Sequence, residues 1–546
     1  MSLKAGRAPN IALRLARWAD ERPRAAAIVD GPRTISFATF EDECARLGAG
    51  LESLGIANGT RAVLMVPPSV EMFALAFSLF RVGAVPVFID PGVGWEHLRT
   101  CMNQAEPSAF IGSPKAHLGR ILGDWDQRRG LKTLVTAGGF FPGTTGLGAL
   151  RRGAGTLRAP EQPPAGAAAA LMYTSGSTGA PKGAVYTHEM LSAQIELLRE
   201  LYHIEAGQVS VPTFPLFGLF DLALGLTCVI PKMDFTRPGS VDPREILGQV
   251  ARHRAQQLFG SPALIDRVGR YAEARSVKLP SLRRVLSAGA PVPARTLSRF
   301  AALLSGAEVH TPYGATEALP VATIGSRELA GTASATAAGR GVCVGRPVPG
   351  IEAAVIAVSD APLARWSEDL RLPEGQVGEI AVKGPVVSAA YFNKTEATAL
   401  AKIPDGGGFW HRMGDLGYLD QEGRLWFCGR KAHRVPLPQR ALYTICCEGV
   451  LNAHPKVKRS ALVGCTVAGR PEAVVCVELE DRSLGAAGRE ALTRELLALA
   501  GRHEASSPVR TILYHPGFPV DRRHNAKIKR ELLAVWAQKR LGGGRL

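Results

Sequence analysis

Short apolar runs alternate with amphipathic segments through the first 430 residues of the chain. Arg61 to Val66 is typical of a strand, Val70 to Val82 of a helix, and Val85 to Ile89 of the next strand. The same alternation returns later and predicts strands at 131–136, 168–173 and 284–287 and helices at 189–202 and 293–304. Strand, helix and strand at this spacing predict an α/β fold of mostly parallel sheets covered by helices. Ligands of such sheets lie at the loops that leave the carboxyl ends of the strands.

The length of 546 residues exceeds what one hydrophobic core supports, so we expect more than one domain. The strand-and-helix alternation ends near Cys428, and a segment interrupted by prolines, Val435 to Pro438, follows it. We therefore predict a large N-terminal domain over residues 1–429. A small, mobile α+β domain is predicted over residues 430–546, with a hinge near Gly429 to His433.

The composition is that of a globular protein, with 46% hydrophobic and 21% charged residues. The formal net charge of +17 favours anionic partners such as nucleotides or acidic lipid surfaces, although solvated basic faces would give the same total. Aromatic residues make up only 6%, and no nucleic-acid-reading module is recognisable, so nucleic acid is not expected as a partner.

Nine cysteines without a zinc or redox spacing indicate a reducing compartment. Residues 1–20 mix basic and apolar side chains and predict an amphipathic helix, not a signal peptide. The most apolar later stretch, 72–88, is interrupted by Arg81 and Gly83 and is too short to span a bilayer. The expected location is the cytoplasm.

The strongest functional signal is the string Tyr-Thr-Ser-Gly-Ser-Thr-Gly-Ala-Pro-Lys-Gly at residues 173–183, which lies between two β-like runs. Glycines let the backbone approach a polyphosphate, amides and hydroxyls donate to it, and Lys182 adds positive charge. It is not a Walker A loop, because Lys182 follows Pro181 and no helix opens directly after it. A flexible linker would share the composition but not the Pro-Lys-Gly ending.

This string resembles the phosphate-binding motif of the adenylate-forming superfamily, which includes acyl-CoA synthetases, peptide-synthetase adenylation domains and luciferases. Further matches follow in the order of that superfamily, at 287–291, 313–317, 378–393, 412–415 with 429–430, and 525–530. Taken singly, Glu317 and Asp415 would be solvated or capping carboxylates, and Lys527 would be one cation of a basic tail. The ordered series identifies the chain as a member of the superfamily.

The resemblance implies ATP and Mg²⁺ as ligands and the attack of a substrate carboxylate on the α-phosphate of ATP. Glu317 would bind Mg²⁺, and Lys527 would bridge the carboxylate and the transferring phosphate. The implied ATP-binding residues are Thr174, Ser175, Gly176, Ser177, Thr178, Gly179, Lys182, Gly289, Ala290, Pro291, Tyr313, Gly314, Ala315, Thr316, Asp415 and Arg430.

Segments 213–226, 257–264, 411–415 and 518–527 resemble one branch of the superfamily, the β-lactone synthetases of olefin biosynthesis. That resemblance implies a long-chain 2-alkyl-3-hydroxy acid whose own hydroxyl displaces AMP and closes a four-membered ring. Thioester-forming relatives carry a glycine after the Gly-Arg pair and a charged hinge residue. Here residues 431–441 contain no glycine, and Ala432 stands at the hinge position, which favours the lactone.

The apolar run Phe214 to Leu226 predicts a wall for alkyl chains, with Phe214, Phe217, Gly218 and Phe220 as channel residues, or else plain core packing. A base would assist the hydroxyl. His433 and His524 lie in motifs expected to close over the site. We hypothesise that His524 is this base; the alternative is that His524 is an ordinary surface histidine.

Two alternatives stay open at this point. A fatty acyl-CoA synthetase or fatty acyl-AMP ligase shares the first step but passes the acyl group to a thiol. A non-catalytic ligand sensor would be expected to lack Lys527 or Glu317, and both are present. The expected partners are the long-chain hydroxy acid, other olefin-pathway enzymes and, through the basic surface, a membrane.

Overall fold

The computed structural model describes residues 10–90, 93–128, 130–153, 155, 158–174, 181–521 and 527–542, with the backbone alone at 174. The strands are β1 (Ala26–Asp30), β2 (Arg33–Ser36), β3 (Arg61–Met65), β4 (Val85–Ile89), β5 (Ala109–Gly112), β6 (Thr133–Thr136), β7 (Thr145–Gly146), β8 (Ala168–Thr174), β9 (Lys182–Thr187), β10 (Val209–Pro212), β11 (Thr227–Ile230), β12 (Gln257–Phe259), β13 (Arg284–Leu286), β14 (Glu308–Ala315), β15 (Ala318–Gly325), β16 (Val342–Pro347), β17 (Glu352–Ile356), β18 (Gly378–Lys383), β19 (Lys402–Asp405), β20 (Gly408–Leu419), β21 (Leu425–Arg430), β22 (Val435–Pro436), β23 (Ala441–Leu442), β24 (Val457–Val467), β25 (Arg470–Leu479) and β26 (Thr511–Tyr514).

The α-helices are α1 (Ile11–Glu21), α2 (Phe37–Ser53), α3 (Val70–Arg81), α4 (Trp95–Ala105), α5 (Pro114–Leu122), α6 (Leu147–Arg152), α7 (His188–Leu201), α8 (Pro215–Ala223), α9 (Pro243–Arg252), α10 (Pro262–Glu273), α11 (Ala294–Ala301), α12 (Ser326–Gly331), α13 (Ala333–Ala337), α14 (Thr395–Ala401), α15 (Thr444–Asn452), α16 (Ala486–Gly501) and α17 (Arg530–Leu541). None of the helices in the described ranges combines the length and hydrophobicity that crossing a membrane requires.

Two large sheets organise the chain up to Arg430. One runs β7-β6-β5-β3-β4-β8-β9 and is parallel except for its β8–β9 edge. The other runs β17-β18-β20-β21-β16-β15-β14-β13-β12-β10-β11-β1-β2, with β19 paired to β20. Its centre, from β1 to β14, is parallel, whereas the strands from β14 to β17 are antiparallel. The predicted α/β class is confirmed, with the addition of this antiparallel half.

The predicted strands and helices are present, with ends that differ by a few residues. Local chemistry accounts for their starts, as at α3, where the Ser69 hydroxyl accepts from the amide of Met72 at 3.2 Å and caps the helix. The following apolar run makes α3 buried on nearly every side, and it carries Phe73, Phe77 and Phe80 into the main core.

The chain after Arg430 has a sheet and a core of its own. A short hairpin of β22 and β23 leads into the sheet β24-β25-β26, against which α15, α16 and α17 pack. Its core residues include Leu451, Leu462, Val475 and Leu496, all fully buried. The small, mobile domain over residues 430–546 stays a prediction.

Candidate active site

A cavity of about 1310 Å³ opens where the two large sheets meet the chain that follows them. Its wall is built largely from loops at the carboxyl ends of parallel strands, including those after β3, β4, β10, β11, β12 and β13. Arg430, Lys431, Ala432 and Lys527 close it from the C-terminal side. The cavity therefore lies where a parallel α/β fold places its ligands.

At the polar end, Asp415 and Arg430 face each other on neighbouring strands β20 and β21. The Arg430 guanidinium lies 2.8 Å from Asp415 Oδ1, and the Tyr313 hydroxyl donates to Asp415 Oδ2 at 2.7 Å. Burial raises the pKa of Asp415, and the charge of Arg430 opposes that rise. Arg430 lines the cavity, whereas Asp415, which is buried, and Tyr313, which is half-buried, are not among the lining residues.

Glu317 lies in the turn between β14 and β15 and lines the cavity. The Tyr391 hydroxyl donates to its Oε1 at 2.5 Å, and its backbone carbonyl accepts from the amide of Ser388 at 2.7 Å. Burial is the main cause of a raised pKa at Tyr391, and the charge of Glu317 adds to it, so the hydroxyl stays protonated and donates. These contacts hold a carboxylate, the donor type that Mg²⁺ prefers, in one orientation.

The predicted motif at 313–317 contributes further residues to the wall beside Glu317. Gly314, Ala315 and Thr316 line the cavity, and the Thr316 carbonyl accepts from the Tyr186 hydroxyl at 2.6 Å. A Cβ at Gly314 would lie 2.4 Å from the carbonyl oxygen of Ala318, so the irregular pairing of β14 with β15 requires glycine there.

Only part of the predicted motif at 287–291, which follows β13, reaches the cavity. Gly289 lines the cavity with a φ of +100°, whereas Ala290 and Pro291 are not among the lining residues. The motif therefore meets the cavity through Gly289 and its neighbour Ala288.

The predicted catalytic lysine, Lys527, and the predicted ATP-binding lysine, Lys182, belong to the same cavity wall. Lys182 Nζ lies 5.1 Å from the centre of the Tyr391 ring. The Lys527 amide donates to Asp521 Oδ1 at 3.0 Å, and the Lys527 carbonyl accepts from the Asp521 amide at 3.0 Å. Several predicted site residues fall outside the described ranges, namely Ser175, Gly176, Ser177, Thr178, Gly179 and His524, together with the side chain of Thr174.

The apolar arm of the cavity is formed by α8, which begins at Pro215. Phe214, Phe217 and Phe220 line it, and the Phe217 ring stacks on Phe259 with 3.8 Å between ring centres. Gly218 is not in the wall, because it faces the core, where a Cβ would lie 2.5 Å from Phe73 Cζ. The four predicted channel residues thus divide into three that face the cavity and one that lets α8 approach α3.

Sequence reasoning missed a charged cluster in the wall. Glu379 on β18 accepts from Arg412 Nη2 at 2.6 Å and lies 3.2 Å from Lys431 Nζ, and all three residues line the cavity. Lys431 also donates to the Ser359 carbonyl at 2.9 Å, and the neighbouring Arg434 pairs with Asp360 at 2.6 Å. The signal available was the basic residue that directly follows the Gly-Arg pair.

His433, the other histidine of the closing motifs, is not among the cavity-lining residues. Neither ring nitrogen has a hydrogen-bond partner in the part of the chain that the structure describes. Burial lowers its pKa to about 4, and the charges of Arg530 and Arg430 act in the same direction, so the ring is neutral at pH 7.

Comparison with known families agrees with this arrangement of motifs. The family model described as "AMP-binding enzyme" matches residues 15–392. The chain belongs to the AMP-binding enzyme family. The superfamily predicted from the motifs is thereby confirmed, and the apolar arm and the polar end described above belong to an AMP-binding enzyme.

Two curated relatives of this AMP-binding enzyme are similar over nearly their whole length. The olefin β-lactone synthetase of Xanthomonas campestris pv. campestris is 46% identical over 97% of this chain and 97% of its own length. The olefin β-lactone synthetase of Stenotrophomonas maltophilia is 46% identical over 97% and 98%. Among solved structures, ATP-bound MatB from Rhodopseudomonas palustris superposes with a TM-score of 0.80 over 97% of this chain and 99% of its own, at 23% identity, and shares the fold.

Proposed function

We propose that this enzyme adenylates a long-chain 2-alkyl-3-hydroxy acid with ATP and then closes the acid to a β-lactone, releasing pyrophosphate and AMP. The observation that carries the proposal is the cavity, whose wall contains Glu317 and Lys527 together with an apolar arm lined by α8. The identity of 46% to two olefin β-lactone synthetases supports the same reaction.

The residues present suit Mg²⁺ and ATP. Glu317 offers a carboxylate that the Tyr391 hydroxyl holds in place, and oxygen donors of this kind bind Mg²⁺. When bound there, Mg²⁺ would neutralise charge on the phosphates of ATP. Asp415 and Arg430 would hold the ribose, which requires the Tyr313 hydroxyl to share or release Asp415 Oδ2. Backbone amides and hydroxyls of residues 174–178 would hold the β- and γ-phosphates.

In the first step, an oxygen of the substrate carboxylate bonds to the α-phosphorus, and the bond from that phosphorus to the pyrophosphate oxygen breaks. Both reactants are anions, so the chain has to bring them together against their repulsion. Lys527 and Lys182, which both line the cavity, would supply positive charge to the reactants. Positioning and electrostatics account for the acceleration, and no protein nucleophile is needed.

In the second step, the 3-hydroxyl oxygen of the substrate attacks its own acyl carbon. The bond from that carbon to the adenylate oxygen breaks, AMP leaves, and the hydroxyl proton passes to a base, for which we propose His524. Intramolecular attack has a high effective molarity, which helps to offset ring strain. The apolar arm would bury the alkyl chains and keep the hydroxyl facing the acyl carbon.

The connector after Arg430 favours the lactone over a thioester. Lys431 contacts Ser359 and Glu379, and Arg434 pairs with Asp360. Residues 431–441 contain no glycine that would let a pantetheine arm pass. We therefore rank the acyl-CoA synthetase and acyl-AMP ligase functions below the lactone synthetase.

The decisive experiment incubates the purified enzyme with ATP, Mg²⁺ and a synthetic 2-alkyl-3-hydroxy acid, with and without coenzyme A, and identifies products by mass spectrometry. We expect lactone and AMP without the thiol. A product that appears only with coenzyme A would contradict lactone formation, while absence of acid-dependent pyrophosphate exchange would contradict adenylation itself. Lys527→Ala should abolish exchange. His524→Ala should slow the lactone step alone, and His503→Ala, which lies outside the cavity wall, serves as its control.

The remaining parts of the proposal concern organisation and location. We place the domain boundary between residues 429 and 430, at the end of β21 and a few residues before the second core begins at Val435. All nine cysteines are buried free thiols, which supports a reducing cytoplasm. Other enzymes of olefin biosynthesis are proposed as partners that supply the hydroxy acid and consume the lactone.

A further inference from the structure

Exposed apolar side chains are concentrated in one region. Among the residues that the structure describes, nine large hydrophobic side chains are exposed, and five of these lie between residues 95 and 140. We call these five the apolar patch, and each is between 50% and 82% exposed: Trp95, Leu118, Ile121, Leu122 and Phe140. Contiguous exposed apolar surface marks an interaction site, whereas scattered residues do not.

Helix α5 supplies the centre of the apolar patch. Leu118, Ile121 and Leu122 are spaced three and four residues apart and therefore share one face of the helix, while Ala116 and Gly119 on the other side are buried. The helix thus presents apolar side chains to solvent as well as to the protein. Leu118, Ile121 and Leu122 remain exposed to solvent and so contribute little to the hydrophobic core.

The members of the apolar patch are neighbours in space. A Cβ at Gly119 of α5 would lie 2.7 Å from Trp95 Cη2, so α5 packs directly on that ring. The loop that carries Phe140 is held against the same helix, because the Phe141 ring stacks on His117 with 5.2 Å between ring centres. The patch is therefore one surface built by two helices and a loop.

This surface is continuous with the cavity. Trp95 belongs to both. The cavity is also lined by Lys115 and Ala116 of α5 and by Trp125, which packs against α5 at Gly119. The Trp95 and Trp125 rings meet edge to face at 5.0 Å, which joins the outer surface to the inner wall. A long alkyl chain that leaves the cavity on this side would therefore contact apolar side chains first.

We propose that the apolar patch docks this enzyme on the surface of a phospholipid membrane, with the cavity opening toward the lipid. The reason for docking rests on the proposed function, since long-chain acids and lactones partition into membranes. Tryptophan and aliphatic side chains of this kind insert at the interface. Exposed Lys115 and Lys232 at the cavity rim and the net charge of +17 complement anionic headgroups. Glu96 and Asp124 are acidic residues of the same region, so insertion and not charge is the main contribution.

The test is flotation of the full-length enzyme with vesicles of phosphatidylcholine and phosphatidylglycerol in equal parts. The patch variant combines Leu118→Gln, Ile121→Gln and Leu122→Gln, none of which lines the cavity. The matched control combines Leu532→Gln and Val535→Gln on α17, which are 51% and 57% exposed. The single Leu122→Gln variant provides a second measurement with a minimal effect on folding. Thermal melting shows whether each variant is folded.

We expect the patch variant to lose about tenfold in vesicle partitioning, equivalent to roughly 1.4 kcal/mol, while the control binds as the unaltered enzyme does. All variants should retain pyrophosphate exchange with a short, water-soluble acid in the absence of vesicles. Equal partitioning of the patch variant, or no binding by the unaltered enzyme, would overturn the proposal. So would a dimer in sedimentation that the patch variant abolishes without any vesicle binding. A different result would refute the proposed function instead: no pyrophosphate exchange by the unaltered enzyme or any variant, while vesicle binding still depends on the apolar patch.

Discussion

Glu379 is a buried carboxylate that interacts with two cationic side chains, and the Glu379→Gln substitution should lower the free energy of unfolding. Its carboxylate accepts from Arg412 Nη2 at 2.6 Å and from Nε at 3.1 Å, and Lys431 Nζ lies 3.2 Å away. The side chains of Glu379 and Arg412 are only 1% and 2% exposed. The substitution preserves shape and removes the charge, so the guanidinium stays buried without its counter-ion.

The expected loss is several kcal/mol. Two unit charges about 4 Å apart interact by about 4 kcal/mol at an effective dielectric constant near 20. Removing one partner of a buried pair costs about 3–5 kcal/mol, because the other charge stays desolvated. Lys431 adds less, since its side chain is 20% exposed and also donates to the Ser359 carbonyl. We therefore expect the free energy of unfolding to fall by about 3–5 kcal/mol.

Urea unfolding followed by tryptophan fluorescence measures this change, with buried Trp410 on the same strand as Arg412 as a reporter. The matched control is Glu352→Gln on the neighbouring strand β17, where the side chain is exposed and the change should stay within about 0.5 kcal/mol. The double variant Glu379→Met with Arg412→Met should recover part of the loss, because it removes both buried charges.

Unfolding of Glu379→Gln within about 1 kcal/mol of the unaltered enzyme would refute the reasoning. A double variant no more stable than Glu379→Gln would also refute it, since the cost would then come from packing and not from an unpaired charge.

Tyr391→Phe removes the hydroxyl that orients Glu317, so half-maximal pyrophosphate exchange should need about tenfold more Mg²⁺, and an unchanged Mg²⁺ titration would contradict this. Burial favours neutral Glu478, but hydrogen bonds from cations and a backbone amide outweigh it and hold its pKa at about 2, below the ordinary 4.5. Its stabilising contribution is therefore complete above pH 4.5 and is lost as the pH falls toward 2. In Glu478→Gln, the free energy of unfolding measured in urea should depend less on pH between 4.5 and 2. Gly218→Ala places a Cβ 2.5 Å from Phe73 Cζ and should cost about 1–3 kcal/mol, visible as a lower melting temperature.

The sequence by itself predicted the fold class and the family. Strand and helix periodicity depends on local chemistry, and the parallel strands appear where apolar runs predicted them. The ordered motifs also put Glu317, Lys182 and Lys527 forward as site residues, and all three line one cavity although they are far apart in the chain. The motif order carried this information because each motif is a loop at a fixed place in a shared fold.

Only the tertiary structure decided which side of each element faces the site. Helix α8 is apolar nearly all round, so no periodicity could separate Gly218, which faces α3, from the phenylalanines that face the cavity. The cluster of Glu379, Arg412 and Lys431 joins residues separated by up to 52 positions, and local sequence cannot reveal such a pairing. The outward face of α5 was likewise undecided, because a helix with apolar residues on two sides leaves open which side solvent or a membrane will meet.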